Sequence, residues 1–254
     1  LDAGSVVRYE ENGQKAEAVF LTDYEGMEGK SILTSEDALV EFEVDVPEDG
    51  LYCISLDYYP VAGKNSDIER SIFIDGELPF KEMSLVLFSR VWTSQAESDG
   101  GIRVWEKDNQ GNDLKPQMTE IPEWQSRYVY DSDGYISTPL MVFMNGGKHT
   151  VTLISIKEPM LIHSIRFTNE VELSDYKTVK AKWDAVQNNS SGKKQILIQA
   201  EDACKTSSQM LYPQQDQASP EVYPASAKAL LNNTIGGNSW RLNGQWIEWS
   251  FNVE

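Results

Sequence analysis

The chain has 254 residues, 40% of them hydrophobic, and its 40 acidic and 22 basic residues give a formal net charge of −18. A phosphate backbone would be repelled by this charge, so we expect no nucleic-acid partner. No apolar run approaches the roughly 20 residues that a membrane-spanning helix needs, so we expect no membrane span.

In chain order, alternating apolar and polar residues predict a series of short strands. Residues 40–46 place valine and phenylalanine on one face and acidic residues on the other, which is the period of a half-buried strand. A turn at 47–50 leads into a returning strand at 51–59. A third strand at 68–75 ends in a tight-turn signal, Asp75-Gly76.

Residues 80–134 show weaker alternation and form a long segment between the predicted strands. Segments of this length in a compact domain are usually functional or disordered, and the tryptophans in this one argue against disorder. Strands are predicted again at 140–144, 148–156 and 160–168. Many short strands joined by glycine and proline turns predict an all-β fold, an antiparallel β-sandwich of the jelly-roll type.

Residues 174–187 are predicted to form a helix. Ser174 and Asp175 can cap it, and Tyr176, Val179 and Trp183 follow at helical spacing. The polar run 188–194 then indicates a flexible link. We therefore predict a sandwich domain at 1–170 and a helical linker at 171–194.

After the link, the sequence resembles its own beginning. Residues 198–202 are similar to 7–11, and residues 247–253 are similar to 40–46. A repeat this long indicates a duplicated domain. We predict that 195–254 is the N-terminal part of a second, truncated sandwich, and we expect the native protein to continue.

Three segments resemble family 6 and family 35 carbohydrate-binding modules. Residues 44–52 (VDVPEDGLY) resemble their strand–turn–strand, residues 72–76 (IFIDG) their mid-domain hairpin, and residues 147–153 (GKHTVTL) their penultimate strand. The order and spacing of these segments are typical of the galactose-binding-like jelly roll. The resemblance implies that fold and a non-catalytic role in carbohydrate binding.

Further runs resemble the N-terminal region of a group of large Gram-positive lipoproteins. Those lipoproteins are extracellular solute-binding proteins of carbohydrate ABC transporters, with tandem galactose-binding-like domains before the binding domain. The similar runs are 24–27, 68–71, 74–80, 88–92, 108–116 and 233–237. The resemblance implies an extracellular, surface-attached protein whose partners are an oligo- or polysaccharide and, through a region beyond residue 254, a transporter permease.

The same resemblance raises the question of a structural calcium ion. These modules often place an aspartate near calcium in the last strand, where this chain has His163, and imidazole is a poor calcium ligand. Glu10 and Glu201 stand where the metal-binding glutamate of the first strand would be. For Glu10 the alternatives are calcium and a solvated edge carboxylate, and we predict no cofactor or metal ligand.

Catalysis is not expected. Both histidines, His149 and His163, lie in predicted strands, and no Gly-x-Ser-x-Gly segment occurs. Residues 131–134 hint at a calcium loop, but Val129 cannot supply the further oxygen ligand, so we predict a turn. A glycosidase needs two facing carboxylates, and the sequence does not identify such a pair.

Sugar binding needs aromatic rings for the apolar face of a pyranose and polar side chains for its hydroxyls. The predicted ligand-binding residues are Arg90, Trp92, Trp105, Asn112, Asp113, Lys115 and Trp124. Trp105 is the preferred ring, because its charged neighbours at 106–108 indicate exposure. The alternative is that the tryptophans pin the long segment onto the sandwich.

Three functions are compatible with these features. The favoured one is a glycan-binding region of a surface receptor for carbohydrate uptake. A structural or interaction spacer is the second, and it predicts buried tryptophans and no bound sugar. The third is an accessory module of a glycoside hydrolase.

Overall fold

The structure is a computed structural model, and it describes residues 2–94, 98–99, 102–103, 106–112, 114–169, 174–186, 196–198, 200, 203–216 and 231–251. None of the helices in these ranges is long and apolar enough to cross a bilayer.

Strands are the predominant secondary structure of the described chain. Before residue 170 they are β1 (Val6–Glu11), β2 (Gln14–Lys15), β3 (Val19–Thr22), β4 (Lys30–Thr34), β5 (Ala38–Val46), β6 (Gly50–Pro60), β7 (Ile68–Ile74), β8 (Val86–Phe88), β9 (Trp92–Ser94), β10 (Ser98–Asp99), β11 (Ile102–Arg103), β12 (Met118–Glu120), β13 (Gln125–Tyr128), β14 (Met141–Met144), β15 (Gly147–Lys157) and β16 (Met160–Asn169). Helix α1 (Tyr176–Val186) follows, and then β17 (Lys205–Thr206), β18 (Pro213–Asp216), β19 (Leu231–Ile235) and β20 (Ile247–Glu248). Short 3-10 helices lie at Ala3–Ser5, Tyr24–Gly26, Lys81–Ser84 and Gly237–Ser239.

Two antiparallel sheets form a sandwich, which confirms the predicted all-β fold class. Within the described residues, one sheet has the strand order β2-β1-β5-β15-β7-β8. The other has the order β13-β6-β16-β4-β3, and β14 also pairs with β6. The strands predicted at 40–46, 51–59, 68–75, 140–144, 148–156 and 160–168 correspond to β5, β6, β7, β14, β15 and β16.

The core lies between these sheets, and β5 shows how the sequence creates it. Every second residue of β5 is buried, as its alternating pattern predicts. Phe42 is 1% exposed and faces the interior, where it belongs to one cluster with Ile54 and Leu153. Burying one such side chain contributes about 1.5–3 kcal/mol to stability.

The predicted turn after β7 and the predicted helix are both confirmed. Asp75 and Gly76 have φ values of 52° and 77°, the left-handed conformation that a tight hairpin turn requires. At the start of α1, the Thr178 backbone N–H donates to Asp175 Oδ1 over 2.8 Å, so Asp175 acts as the cap. Trp183, on the predicted apolar stripe of α1, is 64% exposed.

The C-terminal segment, residues 203–216 and 231–251, packs against strand β9 of the long segment. β17 pairs with both β9 and β20, and the resulting sheet has the order β12-β9-β17-β20. The Thr93 hydroxyl donates to the Cys204 carbonyl over 2.8 Å across this junction. The second sandwich domain at 195–254 stays a prediction. In the described part of this segment, β17 and β20 extend the sheet of β12 and β9, and β18 pairs with β19.

Candidate functional site

A cleft of about 270 Å³ lies between the sandwich and the C-terminal segment. One wall comes from β6, β8 and the stretch around β13, and the other comes from 207–208 and 242–246. Its lining residues are Tyr58, Asp67, Leu87, Phe88, Ser89, Ser126, Arg127, Tyr128, Tyr130, Asp131, Ser132, Ser207, Ser208, Leu242, Asn243, Gly244, Gln245 and Trp246. Aromatic rings and polar groups therefore share one concave surface, which is the usual composition of a small-ligand site.

The base of the cleft is aromatic and rigid. Tyr58 is fully buried in β6, and its ring meets Phe88 edge to face with centroids 5.2 Å apart. The Tyr58 hydroxyl donates to the Ser89 carbonyl over 2.8 Å. Burial raises the pKa of Tyr58 to about 12, so this hydroxyl is neutral at physiological pH.

Arg127 and Trp246 join the two walls. The Arg127 guanidinium carbon lies 4.9 Å from the centroid of the Trp246 ring, a cation–π contact. Arg127 Nη2 also donates to Gln125 Oε1 over 3.1 Å. Ser207 holds the backbone of Trp246 with two hydrogen bonds. The Trp246 N–H donates to the Ser207 hydroxyl over 3.0 Å, and the Ser207 N–H donates to the Trp246 carbonyl over 3.0 Å.

Two buried donors of these residues have no partner among the described residues. They are Arg127 Nε and Trp246 Nε1. Buried donors in folded proteins are nearly always hydrogen-bonded, because an unpaired one loses its solvation without compensation. Each of these two atoms has less than 1 Å² of accessible surface, so they lie behind the surface that the cleft presents to a ligand.

The two carboxylates of the cleft differ in their hydrogen bonding. Asp131 is 2% exposed and accepts three backbone N–H groups, from Asp133 at 3.0 Å, Tyr135 at 2.8 Å and Ile136 at 3.0 Å. These bonds confirm the turn predicted at 131–134. The Asp67 carboxylate accepts no hydrogen bond from a described residue, and burial raises its pKa.

Asp67 ends the loop at 61–67, and Arg90 holds this loop in place. The Arg90 side chain is 0% exposed and ion-pairs with Glu158 and Glu120, each at 2.7 Å. Its Nε donates to the Ser66 carbonyl over 2.8 Å, and Nη1 donates to the Val61 carbonyl over 3.0 Å. Arg90 therefore fixes both ends of the loop that presents Asp67.

Glu158 completes this network from the β15–β16 turn. Its carboxylate accepts the Lys64 N–H at 2.8 Å, the Ser66 N–H at 3.1 Å and the Ser66 hydroxyl at 2.7 Å. Burial alone would raise the pKa of Glu158, but the Ser66 and Lys64 hydrogen bonds and the charge of Arg90 bring the net shift below its usual value. A Cβ on Gly63 would lie 1.9 Å from Glu158 Oε2, so only glycine fits there.

The predicted ligand-binding residues Arg90, Trp92 and Trp124 lie outside the cleft lining. Arg90 is committed to the network described above. Trp92 is 5% exposed in β9, opposite Glu120 on β12. Trp124 is partly buried, and its Nε1 donates to the Tyr24 carbonyl over 3.0 Å.

Asn112 and Lys115 are exposed but lie elsewhere as well. Asn112 Nδ2 donates to Asp108 Oδ2 over 2.8 Å within a local turn. Lys115 Nζ lies 4.7 Å from the centroid of the Tyr212 ring on the C-terminal segment. The remaining two predicted residues, Trp105 and Asp113, lie outside the described residues.

Asp67, Arg127 and Trp246, which form the cleft, were not among the residues predicted from the sequence. The available signal was an aromatic ring next to a polar side chain: Arg127 precedes a tyrosine, and Trp246 follows a glutamine. Their proximity depends on the packing of the C-terminal segment onto the sandwich, which no local pattern predicts.

The described part of the chain holds no group of three or more His, Cys, Asp and Glu side chains placed to bind a metal ion. Glu10 instead accepts from Arg8 Nη2 at 2.7 Å and from Arg8 Nε at 2.9 Å. His163 Nδ1 lies 3.2 Å from the Ser31 hydroxyl, and its ring packs against Trp124. Glu201 lies outside the described residues.

Comparison with known proteins gives similar solved structures, but no protein-family model and no curated protein matches the chain. A family 35 carbohydrate-binding module from Clostridium thermocellum is 10% identical, with 66% of this chain and 95% of that one covered and a TM-score of 0.39. A family 35 module from Paenibacillus barcinonensis is 14% identical, with 65% and 96% covered and a TM-score of 0.35. The C-terminal family 6 module of LamC from Zobellia galactanivorans is 15% identical, with 66% and 97% covered and a TM-score of 0.32. Likenesses this distant do not identify a ligand or an activity for this chain.

Proposed function

We propose that this chain is a non-catalytic carbohydrate-binding region and that the sugar binds in the cleft between the sandwich and the C-terminal segment. The proposal places the protein outside the cell and attached to its surface. It also makes the chain part of a solute-binding protein for sugar uptake, with a transporter permease as partner of a region beyond residue 254. The uptake role rests on the sequence resemblance to surface lipoproteins alone.

The observation that carries the proposal is the chemistry of the cleft lining. A pyranose presents apolar C–H faces and a rim of hydroxyls, each of which can donate and accept. Trp246 and the neighbouring tyrosines offer aromatic surface. Asp67 in the same lining offers an acceptor for a sugar hydroxyl.

The same lining supports a role in binding rather than hydrolysis. A glycosidase places two carboxylates on opposite sides of the scissile bond, one of them as general acid. Asp67 and Asp131 are the acidic residues of the described lining. Because three backbone N–H groups occupy the Asp131 carboxylate, it is committed to the turn, and Asp67 has no second carboxylate to work with among the described residues of the lining.

A structural or interaction spacer is the second candidate, and one observation favours it. Trp92 is buried at the junction where β9 pairs with β17, so this ring helps to join the two parts of the chain. A spacer that only joins these parts binds no sugar. An accessory module of a glycoside hydrolase would bind sugar in the same cleft. The neighbouring domain in the full-length gene would distinguish such a module from a receptor for sugar uptake.

A glycan array followed by calorimetry on the full chain tests the proposal. We expect binding to at least one oligo- or polysaccharide, and we expect Trp246→Ala to abolish it because the ring joins both walls of the cleft. Trp183→Ala is the matched control, since this tryptophan is 64% exposed on α1 and does not line the cleft. A well-folded chain that binds none of the glycans would favour the spacer.

A further inference from the structure

We infer that the cleft binds sugars without a carboxylate and rejects uronic acids, and that Asp67 determines this selectivity. This inference rests on the proposed function, because it names the class of sugar that the same cleft accepts. It depends on which charges in and around the cleft are already committed to protein partners.

The anionic side of the cleft has a free acceptor. Asp67 accepts no hydrogen bond from the described residues, and the loop that carries it is fixed by Arg90 and Glu158 and cannot easily turn away. Asp131 adds a second negative charge to the same lining. A sugar hydroxyl can donate to the Asp67 carboxyl group, which lines the cleft.

The basic side chains in and around the cleft already contact other protein groups, so they are poorly placed to bind an anion. Arg127 is the basic residue of the described lining, and its guanidinium already stacks on Trp246 and donates to Gln125. The two cations whose charges act on Asp67, Lys157 and Arg90, are also committed. Arg90 pairs with two glutamates, and Lys157 pairs with Glu69 at 3.4 Å.

A uronic acid in the cleft would therefore meet two carboxylates and one guanidinium that is already engaged. Like charges brought together in a partly desolvated site repel each other strongly, and such repulsion is an effective way to exclude a competitor. A neutral sugar avoids this repulsion. Its hydroxyls can donate to Asp67, which lines the cleft.

Matched ligands make the test sharp. Uronic-acid oligosaccharides and the same oligosaccharides after reduction of each carboxyl to a hydroxymethyl group differ only in charge. Calorimetry with the full chain should show binding of the reduced member at least about tenfold tighter than binding of its uronate. The variant Asp67→Asn keeps an acceptor oxygen and removes the charge, so it should bring this ratio close to one.

Asp184→Asn is the control, since Asp184 is paired with Lys180 on α1 and does not line the cleft, and it should keep the wild-type ratio. Equal or tighter binding of the uronate by the wild-type chain would overturn the inference and leave sugar binding intact. An unchanged ratio in a folded Asp67→Asn chain would overturn the role of Asp67. If neither these ligands nor a broad array of neutral glycans bind, the proposed function itself fails.

Discussion

The core between the two sheets and the loop at 61–67 are stabilised by contacts of opposite kinds. The core consists of apolar side chains such as Phe42 and Leu153, each 1% exposed, and their contacts have no preferred direction. The loop depends on the ion pair of Arg90 with Glu158 and on hydrogen bonds whose distances are all near 3 Å or below. A substitution in the core lowers the free energy of unfolding according to how many buried methyl groups it removes. Loss of one ion-pair partner instead leaves the other charge buried without compensation.

The core therefore determines mainly the stability of the chain, whereas the loop at 61–67 also determines the position of Asp67. Many residues share the burial of the core, so no single one of them defines the position of Asp67. The network around Arg90 contains few residues, and all of them act on the loop that carries Asp67. Variants in the two regions should therefore change unfolding free energy by similar amounts and sugar binding by different amounts.

The largest effect is expected for Arg90→Met. It leaves Glu158 buried without its cation, and breaking a buried pair in this way costs about 3–5 kcal/mol. Urea denaturation of the full chain measures the loss. The double variant Arg90→Met with Glu158→Leu should recover part of it, and a single variant that loses less than about 1 kcal/mol would show that the pair is dispensable. Any folded fraction should bind sugar more weakly, because Asp67 is no longer held.

Leu153→Ala in the core should cost about 2–5 kcal/mol, since it removes buried methyl groups and leaves a cavity. Sugar affinity at a temperature where the chain is folded should stay within about twofold of wild type. Urea denaturation and calorimetry on the same preparation check both statements. A large loss of affinity without unfolding would contradict the proposed separation of core and site.

Gly63→Ala should destabilise the chain by about 1–3 kcal/mol, because the added methyl group overlaps the Glu158 carboxylate. The carboxylate is held by Lys64 and Ser66 and has little room to move. Urea denaturation gives the loss of stability. In a Glu158→Ala background the same change should cost clearly less, and an equal cost there would point to a cause other than this overlap.

The smallest effect is expected at the pair of His149 on β15 and Asp75 in the turn after β7. His149 Nδ1 lies 2.6 Å from Asp75 Oδ2, and Nε2 lies 2.8 Å from the Asn145 carbonyl, so the imidazolium form satisfies both acceptors. These bonds, with Asp75 first, raise the pKa of His149. The stabilisation is then complete below the unfolded value of about 6.5 and is lost as the pH rises through the raised value.

Asp75→Asn should therefore cost about 1 kcal/mol at pH 5.5 and less at pH 8.5, measured by urea denaturation at both values. Burial by itself would raise the pKa of Asp75, but hydrogen bonds with His149 and Thr150 lower it overall, so the aspartate is ionised at both pH values. Asp45→Asn, an exposed position on β5, is the control. A cost that grows with pH would contradict the assignment.

The sandwich was predictable because its strands are encoded locally. Each buried residue of β5 can be identified from its two neighbours, and Asp75-Gly76 marks its turn without reference to the rest of the chain. The helix cap at Asp175 is equally local. The cleft was not predictable, since Asp67, Arg127 and Trp246 are distant in sequence and meet only after β17 pairs with β9.

The role of Arg90 also depends on a residue that is distant in sequence. The sequence suggested an arginine beside a tryptophan that could bind sugar, and composition alone cannot distinguish this from an arginine buried between two glutamates. The deciding partner, Glu158, comes from a turn between strands that lie in different sheets.

The shared walls of the cleft have a mechanical consequence. On the proposed function, a sugar bound there would touch residues before 133 and residues after 206, and it would hold together two stretches of chain that are joined through α1. By thermodynamic linkage, the sugar strengthens the docking of the C-terminal segment by the same factor by which docking strengthens the binding of the sugar. A pull on the chain beyond residue 251 would then release the sugar, and bound sugar would resist that pull.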